Sequence, residues 1–417
     1  MYSLALTLIA VLIAMLLGEA SLRLLGQSYY WAVARQPDPQ LGWRPAPAIS
    51  AWQRFEGEAL VETNALGFRD VEHALSKAPG TLRIVVLGDS FTEAVQVPLE
   101  QTWWRVMQSS LHNGVCAVSA PDGRPVQARV EVLNLAVSGY STAQALLAWR
   151  NIGFRFEPDA VVLAFFLGND LIENAKALDH EPLRPYLTLD GPRLVLDDGF
   201  LSSPEYRFKT SLFGRIIDGL VVHARIAQTV VQAWHAIRIN AHAHREVPAG
   251  RRWLEPGVDD ALYREPDTED WRRAWSVTEA LLGAFAAEVR EAGAQPLLFV
   301  AGTGAQVHPN PKVPATFAAR LGVPDLGYPV RRLLQAASEQ DLPAINMPVV
   351  MTTEAERRGT PLHGFDNSIV GFGHWNADGH RVAGQAAADA LCQTIALHQG
   401  RQPSAEAQGT GTSTARP

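Results

Sequence analysis

Four short stretches of this chain combine residue types that acyl transfer requires: Gly88-Asp-Ser90, Ala136-Val-Ser-Gly-Tyr140, Gly168-Asn-Asp170 and Gly373-His-Trp-Asn-Ala-Asp-Gly-His380. A serine hydroxyl becomes a useful nucleophile beside a base that takes its proton. Ser90 is the candidate nucleophile and His374 the candidate base. The oxyanion of a tetrahedral intermediate needs hydrogen-bond donors. The Ser90 backbone N–H, the Gly139 N–H and the Asn169 side-chain amide are the candidates. Singly, each residue has an ordinary explanation: a turn glycine, a capping asparagine, a histidine at a helix start. All four at predicted strand ends or helix starts, in order, make the stronger signal.

The elements that must position them follow from the apolar pattern. Residues 84–87 form a continuous apolar run rich in β-branched residues, which suits a strand buried on both faces. A helix is expected from about Pro98, with Glu100 in its first turn. Further strands are expected at 130–135, 159–167, 295–301 and 342–347, and helices at 142–150, 271–292 and 376–397. Strands alternating with helices predict an α/β fold, a parallel sheet covered on both faces. Ligands of such sheets bind at the carboxyl ends of the strands, where Ser90 falls.

The rest of the chain frames that domain, expected at 81–395. Residues 2–17 are uncharged and almost wholly apolar, at the short end of the about 17–25 residues that cross a bilayer. We read 1–24 as a membrane anchor, with an uncleaved signal as the rival. Arg23 and Arg35 follow the segment, and counted as cytoplasmic positive charge they place the bulk of the protein inside. Residues 25–80, broken by Pro37, Pro45 and Pro47 with Gly42, read as a connector. Its Thr63-Asn-Ala-Leu-Gly-Phe-Arg-Asp70 turn is expected to pack Leu66 and Phe68 onto the main domain. An insertion at about 172–270, mainly helical with an amphipathic helix near 212–240, reads equally as a lid and as a peripheral layer. His235, His242 and His244 within it read as surface histidines, not metal ligands. The polar tail, 396–417, reads as disordered. Cys116 and Cys392 form no metal or redox motif and leave the redox compartment open. A hydrophobic content of 47% with 19% charged residues indicates a globular core, and a net charge of −7 gives no basic footprint for nucleic acid.

The order and spacing of the four stretches resemble the SGNH/GDSL hydrolase family. Gly88-Asp-Ser90 matches its first block, Gly139 its second, Gly168-Asn-Asp170 its third, and His374 its last, with Trp375 where many members carry proline. The resemblance covers roughly residues 81–395. It implies a flavodoxin-like three-layer α/β/α sheet, no metal or other cofactor, and ester hydrolysis or acyl transfer. The apolar N-terminus and the Thr-Asn-x-Leu-Gly-Phe-Arg-Asp leader also resemble membrane-attached bacterial members, some of which modify cell-surface polysaccharides. That likeness implies a single pass through the inner membrane and an extracytoplasmic catalytic domain, against the arginine count.

The chain departs from the family where an aspartate usually stands three residues before the histidine. Here that residue is Gly371. We expect a Ser-His dyad, with the Gly371 carbonyl accepting from the ring, or a triad completed by Asp366. Asp378, in the first turn of the last helix, fits the helix dipole without any catalytic role. His363 is the runner-up base, and His380 is expected to face helix packing. The leading expectation is a serine esterase or deacylase acting on an acyl ester, of an envelope glycan or lipid. The alternatives are a polysaccharide O-acyltransferase using the same residues and a non-catalytic envelope binding protein. Acyl group, acceptor and oligomeric state stay open.

Overall fold

The computed structural model describes residues 2–115, 118–119, 125–126, 129–243, 255 and 257–401. The chain begins with helix α1 (Tyr2–Leu24), which buries none of its residues. Two antiparallel hairpins follow: β1 (Gln36–Asp38) with β2 (Gly42–Arg44), and β3 (Ser50–Gln53) with β4 (Ala59–Glu62).

The central sheet then starts with β5 (Thr81–Leu87), all seven residues of which are buried. Helix α2 (Ser90–Glu93) begins directly at the serine, and α3 (Trp103–Ser110) follows. The expected helix start at Pro98 is therefore corrected. Residues Leu99–Gln101 make only a 3₁₀ turn, and the Thr102 side chain caps α3 by accepting from the Arg105 N–H. Next come β6 (Arg129–Asn134), α4 (Thr142–Asn151) and β7 (Ala160–Phe166).

The insertion opens with a hairpin that the sequence pattern did not suggest, β8 (Tyr186–Asp190) with β9 (Arg193–Asp197). It continues with α5 (Pro204–Thr210), α6 (Leu212–His223) and α7 (Arg225–Ala243). The single helix expected over 212–240 is thus broken at Ala224. The chain returns to the sheet through α8 (Glu269–Glu291), β10 (Gln295–Ala301), α9 (Tyr328–Glu339) and β11 (Ala344–Asn346), and ends with α10 (Ala377–Arg401). That helix continues past residue 396, where the tail was expected to begin. Residues 402–417 lie outside the described part, as do His244 and the side chains of His235 and His242.

The sheet has the order β11-β10-β7-β5-β6, and every pairing is parallel. This is the flavodoxin-like order, with its switch point beside β5. Alternation along the strands sorts the core into two layers. Val85, Leu87, Val161, Leu163 and Phe165 face α4 and α8. Ile84, Val86, Val162 and Ala164 face Trp103, Trp104 and Met107 of α3 and Val382, Ala387 and Leu391 of α10. Each fully buried aliphatic side chain contributes about 1.5–3 kcal/mol, so the strand ends are firmly placed.

Residues 25–70 wrap the carboxyl edge of this sheet, and 71–80 run back to its amino end, where Lys77 pairs with Asp159 (2.6 Å). Phe68 is buried as expected, but Leu66 is 38% exposed. Arg69 goes inside instead, donating to the carbonyls of Glu93, Ala94 and Val97. The Asp70 carboxylate accepts from the Asn134 N–H at the end of β6 (2.8 Å).

Candidate active site

The turn out of β5 carries Ser90. Asp89 is fully buried and accepts from the Phe91 N–H (2.9 Å), which caps α2. Ser90 is partly exposed, while Asp89 before it and Phe91 after it are buried. The same holds at the next two strand ends: Gly139 and Asn169 are partly exposed beside buried Tyr140, Gly168 and Asp170. Since β6, β5 and β7 are adjacent in the sheet, these three positions sit at the ends of neighbouring strands.

His374 reaches this edge from the loop before α10. Its Nε2 lies 2.8 Å from Ser90 Oγ, across 284 residues of sequence. The ring is braced by Phe91, 4.9 Å away between centroids, which itself stacks on Phe166 at 4.0 Å.

The far nitrogen has a partner that sequence reasoning did not name. His374 Nδ1 is 2.6 Å from Glu56 Oε2, and the His374 backbone N–H donates to Glu56 Oε1 (2.9 Å). An ionised carboxylate only accepts hydrogen bonds, so Nδ1 carries the proton and Nε2 presents its lone pair to the serine hydroxyl. Burial pushes the Glu56 carboxyl up, but the hydrogen bond from His374 and the attraction of its ring outweigh this, holding it below the usual glutamate value. The carboxylate is therefore ionised at neutral pH.

The expectation of Asp366, or of the Gly371 carbonyl, at Nδ1 is corrected by this contact. The physical reason lies in the turn joining β3 to β4, residues 54–58, which projects Glu56 over the sheet edge. Gln53 Nε2 donates to the Glu56 carbonyl (2.7 Å). Asn367 clamps the same turn, accepting from the Gly57 N–H (2.8 Å) and donating to the Gly57 carbonyl (2.9 Å). The loop that holds Asp366 thus supports the carboxylate through its neighbour. Two glycines permit the approach. Gly57 has φ +66°, and a Cβ there would lie 2.3 Å from the Gln96 carbonyl oxygen. Gly373 has φ +82°, and its Cβ would lie 2.3 Å from Glu56 Oε1.

The other candidates sit elsewhere. Asp378 pairs with Arg358 at 2.7 Å and Arg381 at 3.4 Å on the surface. His363 and His380 are each 1% exposed, and burial pushes both imidazoles down to about 3, so they stay neutral.

A buried charge network underlies the Gly139 and Asn169 loops. Asn169 Nδ2 donates to Glu173 Oε2 (3.2 Å). Arg184, from the insertion, pairs with Glu173 (3.2 Å) and Asp179 (2.5 Å) and donates to the Gly139 carbonyl (2.8 Å). One guanidinium therefore ties both loops together. Burial pushes Glu173 up to about 7 against the pull of Arg184, with the charges of Asp89 and Asp179 adding to the rise. Ser138 donates its backbone N–H to Glu93 (2.7 Å), and Tyr30 donates its hydroxyl to the same carboxylate. The Gly139 N–H thus lies between two fixed points, the Glu93 carboxylate and the Arg184 guanidinium.

The sequence could have announced Glu56 only in part. Alternating Ser50-Ala-Trp-Gln53 and Ala59-Leu-Val-Glu62 around a short polar turn signal a hairpin. Nothing in that signal says what the turn reaches.

No protein-family model matches the chain, and no curated protein matches it. Solved structures similar to it include LAE5, an alpha/beta hydrolase enzyme from the metagenome of Lake Arreo, Spain (14% identity, TM-score 0.35, covering 76% of this chain and 98% of that one). The acetyl xylan esterase AlAXEase is similar at 12% identity and TM-score 0.35, covering 75% of this chain and 99% of that one. TesA is similar at 12% identity and TM-score 0.32, with 74% and 97% covered. At these scores the likeness carries no argument about activity. The fold rests on the strand order and register, and the chemistry on the contacts of Ser90, His374 and Glu56.

Proposed function

We propose that the protein is a serine-dependent ester hydrolase in which Glu56, His374 and Ser90 act in line. The observation that carries this reading is the continuous contact from Glu56 Oε2 through both ring nitrogens to Ser90 Oγ, at 2.6 and 2.8 Å. Ser90 Oγ attacks the acyl carbonyl as its proton passes to His374 Nε2. Glu56 holds the ring in the required tautomer and stabilises the imidazolium that forms. The Ser90 and Gly139 N–H groups and the Asn169 side-chain amide are the donors for the oxyanion. Collapse of the intermediate breaks the ester C–O bond, and His374 returns the proton to the leaving alcohol. Water then attacks the acyl-serine through the same base. Transfer to a sugar hydroxyl differs only in the acceptor of this second step.

Two further features support our reading of the compartment. Helix α1 is 23 residues long, has no buried residue, and is apolar enough to cross a bilayer. At about 1.5 Å per residue it is long enough to span the hydrocarbon core. Cys392 is disulfide-bonded. A disulfide persists in oxidising surroundings, which supports an anchored protein with its catalytic domain outside the cytoplasm. An acyl ester of an envelope glycan or lipid is the substrate class such a placement offers.

The test is hydrolysis of a short-chain p-nitrophenyl ester by the full chain. Ser90→Ala is expected to abolish it, with the circular dichroism spectrum unchanged. Wild-type turnover by Ser90→Ala would overturn the proposal.

A further inference from the structure

Two helices of the insertion leave large apolar side chains facing solvent. On α6, Leu212, Phe213, Ile216 and Leu220 are 78%, 64%, 52% and 55% exposed. Their spacing at i, i+4 and i+8, with Phe213 beside them, places them on one helix face. On α7, Val230 and Ile237 are 63% and 66% exposed, again on one side at i and i+7. Isolated exposed aliphatics need no explanation, but six large ones on the outer faces of two consecutive helices mark a surface that contacts something apolar.

The position of that surface says what the contact is. The apolar run of α1 ends at Leu17, and Glu19 follows two residues later. Its carboxylate accepts from the Arg225 and Ile226 N–H groups (both 3.0 Å), capping the start of α7 from another helix. Arg23 donates to the His223 carbonyl at the end of α6 (2.6 Å). A Cβ on Gly18 would touch Ile226 at 3.4 Å, so the two helices pack closely here. The junction of α6 and α7 is therefore fixed at the level where α1 leaves the hydrocarbon. Charge agrees with this placement. Residues 204–243 hold five basic side chains (Arg207, Lys209, Arg215, Arg225, Arg238) and two acidic ones (Glu205, Asp218), in a chain of net −7. Arg215, Asp218 and Lys209 line a cleft of about 600 Å³. An apolar face joined to a basic, polar one is the pattern of a helix lying in a membrane interface.

We infer that the apolar face of α6 and α7 rests on the surface of the bilayer that α1 crosses, with anionic lipid headgroups as its polar partners. The inference rests on the reading of α1 as a membrane anchor. It gives the insertion a task other than a lid. The contact is continuous with the site: Tyr30 packs in the same apolar cluster as Val221 of α6 and donates to Glu93, three residues after Ser90.

Nitroxide labels on single cysteines test this in the full chain, reconstituted in vesicles of phosphatidylcholine and phosphatidylglycerol. The chain's described cysteine is disulfide-bonded, so an introduced one takes the label. Labels go on Phe213→Cys, Ile237→Cys, Ile9→Cys in α1, and Val349→Cys, an exposed apolar position beyond edge strand β11. Turnover of a p-nitrophenyl ester certifies that each variant is folded. At positions 213, 237 and 9, collisions with dioxygen are expected to exceed those with an aqueous nickel chelate several-fold, with the reverse at 349. Lipid access at 9 with aqueous access at 213 and 237 would overturn the inference alone. Aqueous access at 9 would overturn the anchor and the inference together. Dipolar coupling between labels at 213 on two molecules, with exclusion of both probes, would show a second copy on this face and also overturn it.

Discussion

Ser90 and Glu56 meet the same imidazole from its two nitrogens, yet they stand on very different ground. Ser90 leaves a strand with seven buried residues in the interior of a five-stranded sheet. Glu56 stands on the turn of a two-stranded hairpin, one strand of which alternates buried and exposed. The nucleophile is fixed by the whole fold. The orienting carboxylate is fixed by a few side-chain-to-backbone bonds from Gln53 and Asn367. The serine therefore fails only when the domain unfolds, whereas the Glu56 turn can loosen locally with the domain intact.

His374 belongs to both sides, so its loss should be the most damaging. His374→Ala is expected to lower kcat about 10⁴–10⁶-fold, measured by stopped or continuous ester assay. Asn169→Ala removes a proposed oxyanion donor and should lower kcat about 10²–10³-fold, with KM changed little. A paired experiment then separates the two kinds of support. Leu163→Ala, at a position 1% exposed under the site, should cost about 2–5 kcal/mol in urea unfolding and leave the kcat of the folded enzyme near wild type. Asn367→Ala should do the opposite. It loosens the Glu56 turn locally and should lower kcat about tenfold, with the unfolding midpoint shifted less than in Leu163→Ala.

The smallest effect is a pH dependence. Glu56 lies below its ordinary value in the folded protein, so it adds stability that is present above the unfolded-state value of 4.5. That stability is lost as pH falls through the folded value. The unfolding free-energy difference between wild type and Glu56→Gln should therefore be flat above about pH 5 and shrink as the solution is acidified past the unfolded-state value. A difference that grows on acidification would contradict the assignment of an ionised Glu56.

The same contrast explains what is legible in the residues alone. Buried parallel strands leave continuous apolar runs, so 84–87 and 295–301 are legible, and strand ends follow from strands. Gly139, Asn169 and His374 become visible because each stands at a strand end or a helix start. Glu56 is invisible for the opposite reason. It belongs to no strand-end loop of the main sheet, and 318 residues separate it from the histidine it holds. A carboxylate in a polar surface turn looks like any solvated turn. The position three before the histidine is glycine, and the glycine next to the histidine, Gly373, keeps open the space that Glu56 Oε1 occupies. The pattern over 212–240 reads as one helix because its break at Ala224 is held by Glu19, about two hundred residues away. Local periodicity cannot report a cap supplied from another helix.

The central claim is that Glu56, through His374, makes Ser90 nucleophilic. It is tested most directly by the rate at which an alkyl fluorophosphonate labels the protein, followed by intact mass and peptide mapping. The adduct should form on Ser90. Glu56→Gln should slow labelling on the order of 10²–10⁴-fold, and Asp366→Asn should leave it at the wild-type rate. Labelling of Glu56→Gln at the wild-type rate, or an equal loss in Asp366→Asn, would contradict the account.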